Sequence, residues 1–104
     1  MVKRKVNWSK NALIDLHDIM NYYNKRNKSN LYSLRLNRAV REKLQTLDLS
    51  ITLPQKTSLK NMHYFMHNHI LVCFEIQNNE LRVQVLIDDR RNPELIKKML
   101  NTTA

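Results

Sequence analysis

The chain has 104 residues, with 18 Lys and Arg against nine Asp and Glu, a formal charge of +9. That length suits one small domain, residues 1–104, with a thin core, and the charge exceeds what solubility needs, which points to a polyanionic partner, nucleic acid or an acidic protein. A lone cysteine, Cys73, excludes an intrachain disulfide and fits a reducing compartment; no apolar stretch is long enough for a membrane span and none follows the basic opening MVKRKVNW, so a soluble, cytoplasmic protein is expected.

Residues 2–8 alternate, with Val2, Val6 and Trp8 on one side, and predict a first strand. Ser9 reads as a helix N-cap. Ala12, Leu13, Leu16, Ile19, Met20 and Tyr23 then recur at helical spacing. The polar break NKRNKSN leads into a second helix, from about Ser29 to Asp48. Tyr32, Leu36, Ala39, Val40, Leu44 and Leu47 share one of its faces, and Arg35, Arg38 and Arg41 lie on the other. Leu31 and Leu34 fall near the arginine side, where they either pack against the first helix across a tight hairpin or meet a partner.

Residues 50–61, containing Pro54, read as a loop. Three alternating runs follow. Residues 62–67 set Met62, Tyr64 and Met66 against His63, Phe65 and His67. Residues 69–76 align Ile70, Val72, Phe74 and Ile76. Residues 80–88 align Leu81, Val83, Val85 and Ile87, opposite Arg82, Gln84, Leu86 and Asp88. The chain holds no glycine. Turns needing positive φ fall to asparagine, and Asn27, Asn30, Asn61, Asn68, Asn78 and Asn79 all lie between periodic segments. Asn92-Pro93 starts a last short helix, with Asn as cap and Pro at the first helical position. Leu95, Ile96, Met99 and Leu100 form its apolar face. The order is β-α-α-β-β-β-α, an α+β fold with a mainly antiparallel four-stranded sheet packed against a helical hairpin.

Three stretches in this order resemble the RelE/ParE superfamily, toxins of bacterial type II toxin–antitoxin systems. VNWSKNALIDLHDIMNYY (6–23) resembles the family's opening strand and Leu–Ile helix ending in aromatics. HYFMHNHILVCFEI (63–76) resembles its paired middle strands. VLIDDRRNP (85–93) resembles its last strand, double arginine and proline. His63 stands where the family places an arginine, Phe74 lacks the expected aromatic hydroxyl, and no tyrosine follows Tyr64. The resemblance implies a RelE/ParE-like two-layer fold, neutralisation by a cognate acidic antitoxin, and growth inhibition or plasmid stabilisation as the biological role. It implies no cofactor.

Two activities follow from that resemblance. A ParE-like toxin poisons a protein target, by analogy DNA gyrase, and needs no catalytic group. A RelE-like toxin is a metal-independent endoribonuclease that cuts mRNA on the ribosome. The second needs a base for the 2′-hydroxyl, an acid for the leaving oxygen and cations for the developing charge. Its candidate catalytic residues are His63, Arg90 and Arg91. Lys56, Lys60, Arg82, Arg90 and Arg91 are candidates for binding the target or nucleic acid. Arg35, Arg38, Arg41, Leu31 and Leu34 are candidates for binding the antitoxin. A third reading is a non-toxic remnant that only binds its antitoxin. His63, His67 and His69 are scattered around a turn with no Cys or acid at ligand spacing, so no metal site is expected. The bland readings are a double arginine pairing with Asp88 and Asp89 at the surface, where such pairs contribute only about 0–1 kcal/mol, a basic second helix that is simply solvated, and a buried, inert Cys73.

Overall fold

A computed structural model describes residues 4–47, 55–56, 62–78 and 80–100. Strand β1 (Val6–Trp8) leads into helices α1 (Lys10–Asn27) and α2 (Leu31–Thr46). Strands β2 (Gln55–Lys56), β3 (Met62–His67), β4 (Ile70–Gln77) and β5 (Glu80–Asp88) follow, then helix α3 (Pro93–Leu100). The sheet order is β1-β5-β4-β3-β2. β1 runs parallel to β5 and the other pairs are antiparallel. The expected α+β order and mainly antiparallel sheet are therefore present. One detail differs: Gln55 and Lys56, expected in a loop, form a two-residue edge strand beside Tyr64 and His63. A pairing that short leaves no period to read in the sequence.

Helix α1 begins as its sequence dictates. The Ser9 Oγ accepts the Ala12 N–H at 3.0 Å, which satisfies one of the free donors of the first turn. Ala12, Leu16, Ile19 and Tyr23 form the buried stripe. The helix ends at Lys28, whose φ of 53° is left-handed. Asparagine was expected there. Asn68 and Asn78 do take such conformations in the two hairpin turns, but at the helix end a lysine does, although a Cβ in this region costs roughly 1–2 kcal/mol. In α2, Leu36, Val40 and Leu44 are buried together with Ser33, whose Oγ donates to the Met20 carbonyl at 2.9 Å and ties the two helices together. Arg4 donates to the Leu47 carbonyl and closes the far end of α2.

The core lies between the helical hairpin and one sheet face. Ile70, Val72, Phe74, Leu81, Val83 and Leu86 meet the buried residues of α1 and α2 there. Each such side chain contributes about 1.5–3 kcal/mol of burial. β4 is buried on both faces. On the far side Leu71 and Cys73 pack with Met62 and Ile87, and Tyr64, Val85 and Ile96 of α3 lie against them. Of the expected α3 face, Ile96 packs while Leu95 is exposed; the Met99 and Leu100 side chains lie outside the described residues.

The expected alternation along β5 fails midway. Cys73 is level with Val85, but Phe74 is level with Val83, so Gln84 is an extra residue. A bulge of this kind reverses which side each later residue faces. Leu81 and Val83 point toward the helices as expected. Val85 and Ile87 turn to the far side, and Leu86 and Asp88 take their places against the helices. Beyond β1 the exposed edge of β5 is covered by α1. The Ser9 N–H donates to the Val83 carbonyl at 2.9 Å, and its Oγ to the Gln84 carbonyl at 3.2 Å. The Leu86 N–H donates to Asp15 Oδ2 at 3.1 Å. Burial raises the Asp15 pKa, the Leu86 bond opposes that rise, and neighbouring Asp18 adds to it. No described helix is long and apolar enough to cross a membrane.

Candidate functional site

The bulge at Gln84 decides what the double arginine can do. It turns Asp88 toward the helices, where the residue is only 2% exposed. A buried carboxylate is stable only when its oxygens are satisfied. The Tyr23 hydroxyl donates to Asp88 Oδ2 at 2.6 Å, and the Arg90 N–H donates to Oδ1 at 2.9 Å. The Asp88 carbonyl accepts from the Arg91 and Asn92 N–H groups at 3.1 and 2.8 Å. The turn from 88 to 92 is thus wound around one acid, and α3 starts from it at Pro93.

Tyr23 is 3% exposed. Burial first, and then its bond to the Asp88 carboxylate, pushes its hydroxyl up to about 12, while the positive charge of Arg90 pulls the other way. Arg91 lies over the Tyr22 ring, 4.4 Å from its centroid, a cation–π contact of roughly 0.5–1 kcal/mol at an exposed site. Arg90 instead lines a cup of about 190 Å³ with Tyr23, Arg26, Asn27 and Tyr32. Both arginines are exposed, and both sit at the end of the hairpin where α1 passes into α2. Two adjacent arginines are accommodated because the chain leaves the strand and turns.

The other candidate residues lie elsewhere. His63 is level with Phe74 in β4 and its ring stacks on Phe74, so it faces the helical layer. Its Nδ1 is buried without a hydrogen-bond partner among the described residues. Asp88, from which the arginine turn starts, is level with Ile70. Four residues of strand separate Ile70 from Phe74, roughly 13 Å. The structure does not bring His63 together with Arg90 and Arg91. Arg82 is exposed on β5, level with Glu75. Lys56 pairs through its backbone with His63, and Lys60 lies outside the described residues. His69 Nδ1 is 3.2 Å from Asp89 Oδ1 at the surface. Cys73 is fully buried, and burial raises its thiol to about 12.

On α2, Leu31 and Leu34 are 62% and 51% exposed, which overturns packing against α1 as their role. With exposed Arg35 and Arg38 they form one stripe at i, i+3, i+4 and i+7. Arg41 is more engaged: its guanidinium lies 4.7 Å from the centroid of Trp8, and Nε donates to Asn37 Oδ1 at 2.8 Å. Among the described residues no group of three His, Cys, Asp or Glu could hold a metal ion. The sequence alone does not mark Tyr22, Tyr23 and Arg26 as parts of the arginine site, and it places Asp88 at the surface rather than buried beneath the turn. One signal was available: a tyrosine in the core stripe of α1 needs a partner for its hydroxyl.

No protein-family model matches the sequence, and no curated protein does. The structure is similar to a chain in the solved chromosomal ParDE TA system from P. aeruginosa, with a TM-score of 0.66. The match covers 82% of this chain and 95% of that chain at 13% sequence identity. At that identity the likeness is one of fold: this chain shares the α+β fold of the matched chain.

Proposed function

We propose that the chain is the toxin of a type II toxin–antitoxin module, that a cognate acidic antitoxin neutralises it, and that it acts in the ParE manner by binding a protein target such as DNA gyrase. The fold shared with a chain of a ParDE system supports the general reading, as does the net charge of +9. The observation that carries the choice of mechanism is the separation of His63 from the double-arginine turn. A metal-independent ribonuclease needs proton-transfer groups and phosphate-binding cations on the same scissile bond. Here the imidazole stacks on Phe74, and the guanidiniums sit at the far end of the sheet, on the hairpin. The imidazole beside the turn, His69, has its Nδ1 on Asp89 at the surface, and the exposed cations suit recognition rather than cleavage. The exposed Leu31, Leu34, Arg35 and Arg38 stripe suits an acidic partner segment with apolar residues. In this reading the protein works in the cytoplasm, and plasmid stabilisation and growth inhibition are its biological outcomes.

The test has two arms. Purified protein should block DNA supercoiling by gyrase, and mRNA ends mapped by primer extension in a translation reaction should show no new cuts. Discrete ribosome-dependent cuts would establish the RelE-like ribonuclease instead, and absence of both effects the antitoxin-binding remnant. Expression of the Arg90→Ala, Arg91→Ala variant should relieve growth arrest with the fold intact. A variant that is folded and fully toxic would remove the double arginine from the site.

A further inference from the structure

The cup beside the double-arginine turn has a chemistry of its own. Arg26 and Arg90 line it, and among the described residues neither guanidinium lies in an ion pair. No Asp or Glu occurs in the sequence between Asp18 and Glu42, so the hairpin end offers them no acid. Asp88, which holds the turn, already accepts from the Tyr23 hydroxyl and the Arg90 amide, and Asp89 lies 3.2 Å from His69. Tyr23 has thereby used its donor. The donors that line it for a ligand are two guanidinium forks, the Asn27 amide and the Tyr32 hydroxyl, a set that matches an oxyanion.

Size and surroundings narrow the ligand. About 190 Å³ falls below the roughly 300–1,000 Å³ of sites for whole small molecules and suits one side chain. Nucleic acid would look for open aromatic faces on which bases stack. Tyr32 packs against Tyr23 with centroids 4.8 Å apart, and Arg91 covers Tyr22. Apolar surface is available instead on the same helix as Tyr32, where Leu31 and Leu34 stand exposed.

We propose that this cup receives a single carboxylate side chain of an acidic peptide, gripped by Arg26 and Arg90, while apolar residues of the same peptide lie on Leu31 and Leu34. This deepens the antitoxin reading and rests on it for the peptide's acidic, apolar character. It also gives Arg26, at the end of α1, and Arg90, after β5, one shared role.

Fluorescence anisotropy with the full chain tests it, using a short labelled peptide of Glu, Leu and Ala, the same peptide with Gln for Glu, and a labelled single-stranded oligonucleotide of equal charge. The Glu peptide should bind best. Arg26→Gln with Arg90→Gln should weaken it at least about tenfold, whereas Lys25→Gln with Lys28→Gln, which removes equal charge outside the cup, should change it far less. Equal loss in both double variants means diffuse attraction and overturns the proposal. So does tighter, Arg26- and Arg90-dependent binding of the oligonucleotide, which assigns the cup to phosphate. Arg26→Lys with Arg90→Lys keeps the charge and removes the forks. It should bind with intermediate affinity, and undiminished binding overturns the forked grip even if the glutamine variant misfolds. The two readings fail separately. Peptide binding through the cup by a chain that does not arrest growth sinks only the toxin reading. A toxic chain rescued by its antitoxin regardless of Arg26 and Arg90 sinks only the cup.

Discussion

Replacing Tyr23 by Phe isolates the bond on which the arginine turn depends. The ring contacts with Tyr22 and Tyr32, at 4.9 and 4.8 Å between centroids, need only the ring, so the substitution removes one hydroxyl. What remains is a carboxylate oxygen on a 2%-exposed residue with its 2.6 Å donor gone. Hydrogen bonds to charged groups contribute about 1.5–3 kcal/mol. For a domain of this size about 4 °C of Tm accompanies each kcal/mol, so Tm should fall by about 6–12 °C at pH 7. Alkali supplies a second signature. The hydroxyl of Tyr23 titrates at about 12 in the folded chain against 10.0 when unperturbed. A pKa raised by folding gives stability that is complete below the unfolded value and lost as pH climbs through the folded one. The gap between wild type and Tyr23→Phe should therefore narrow between about pH 10 and 12. Denaturant unfolding of both proteins at pH 8 and near pH 11.5 measures it. A Tm within about 1 °C of wild type at pH 7, or a gap unchanged in alkali, would refute the claim that this contact holds the turn.

Asp15→Asn keeps an oxygen for the Leu86 N–H and removes a carboxylate whose pKa burial raises. A raised carboxyl favours the fold only when protonated, so the variant should be more stable than wild type at pH 7, by urea midpoint, and lose that advantage near pH 3. Lys28→Gly removes the Cβ from a left-handed helix cap. After the unfolded-state cost of glycine it should gain about 0.5–1 kcal/mol in thermal unfolding; a loss would mean that the lysine side chain does more than occupy the cap. Cys73, fully buried with its thiol raised to about 12, should resist a thiol reagent in the native protein and react at once in urea.

The elements were readable because their signals are local. Ser9 before Ala12, and Asn92-Pro93 before Leu95, mark helix starts through side-chain and ring chemistry that acts within one turn. The face of β5 was not readable. Val85, Leu86 and Ile87 are all apolar, so either side of the strand could be the buried one, and only the extra residue at Gln84 settles it. That single insertion moved Asp88 from the expected outer face into the core and carried Arg90 and Arg91 to the hairpin. Leu31 and Leu34 show the complementary limit. Apolar character states what a residue would bury against, but the neighbouring Ser33, held to the Met20 carbonyl, is what α2 turns inward. Of the candidate site, the double arginine was visible in the sequence, and its supports Tyr22, Tyr23 and Arg26 were not, because they come from a helix far away in the chain.

The pairing of β1 with β5 has a consequence for the chain as it is made. Val6 waits for Leu81, so at ribosomal rates of about 5–20 residues per second the first strand spends several seconds with no strand to join. Over the same interval the inner stripe of the hairpin has emerged without the sheet that covers it, and Tyr23 has no Asp88 to meet. A nascent or truncated chain that stops before the late sixties therefore offers Leu16, Ile19, Leu36 and Val40 to whatever is nearby, which marks such fragments as chaperone and protease substrates and postpones the assembled arginine site until β5 and the turn after it have been made.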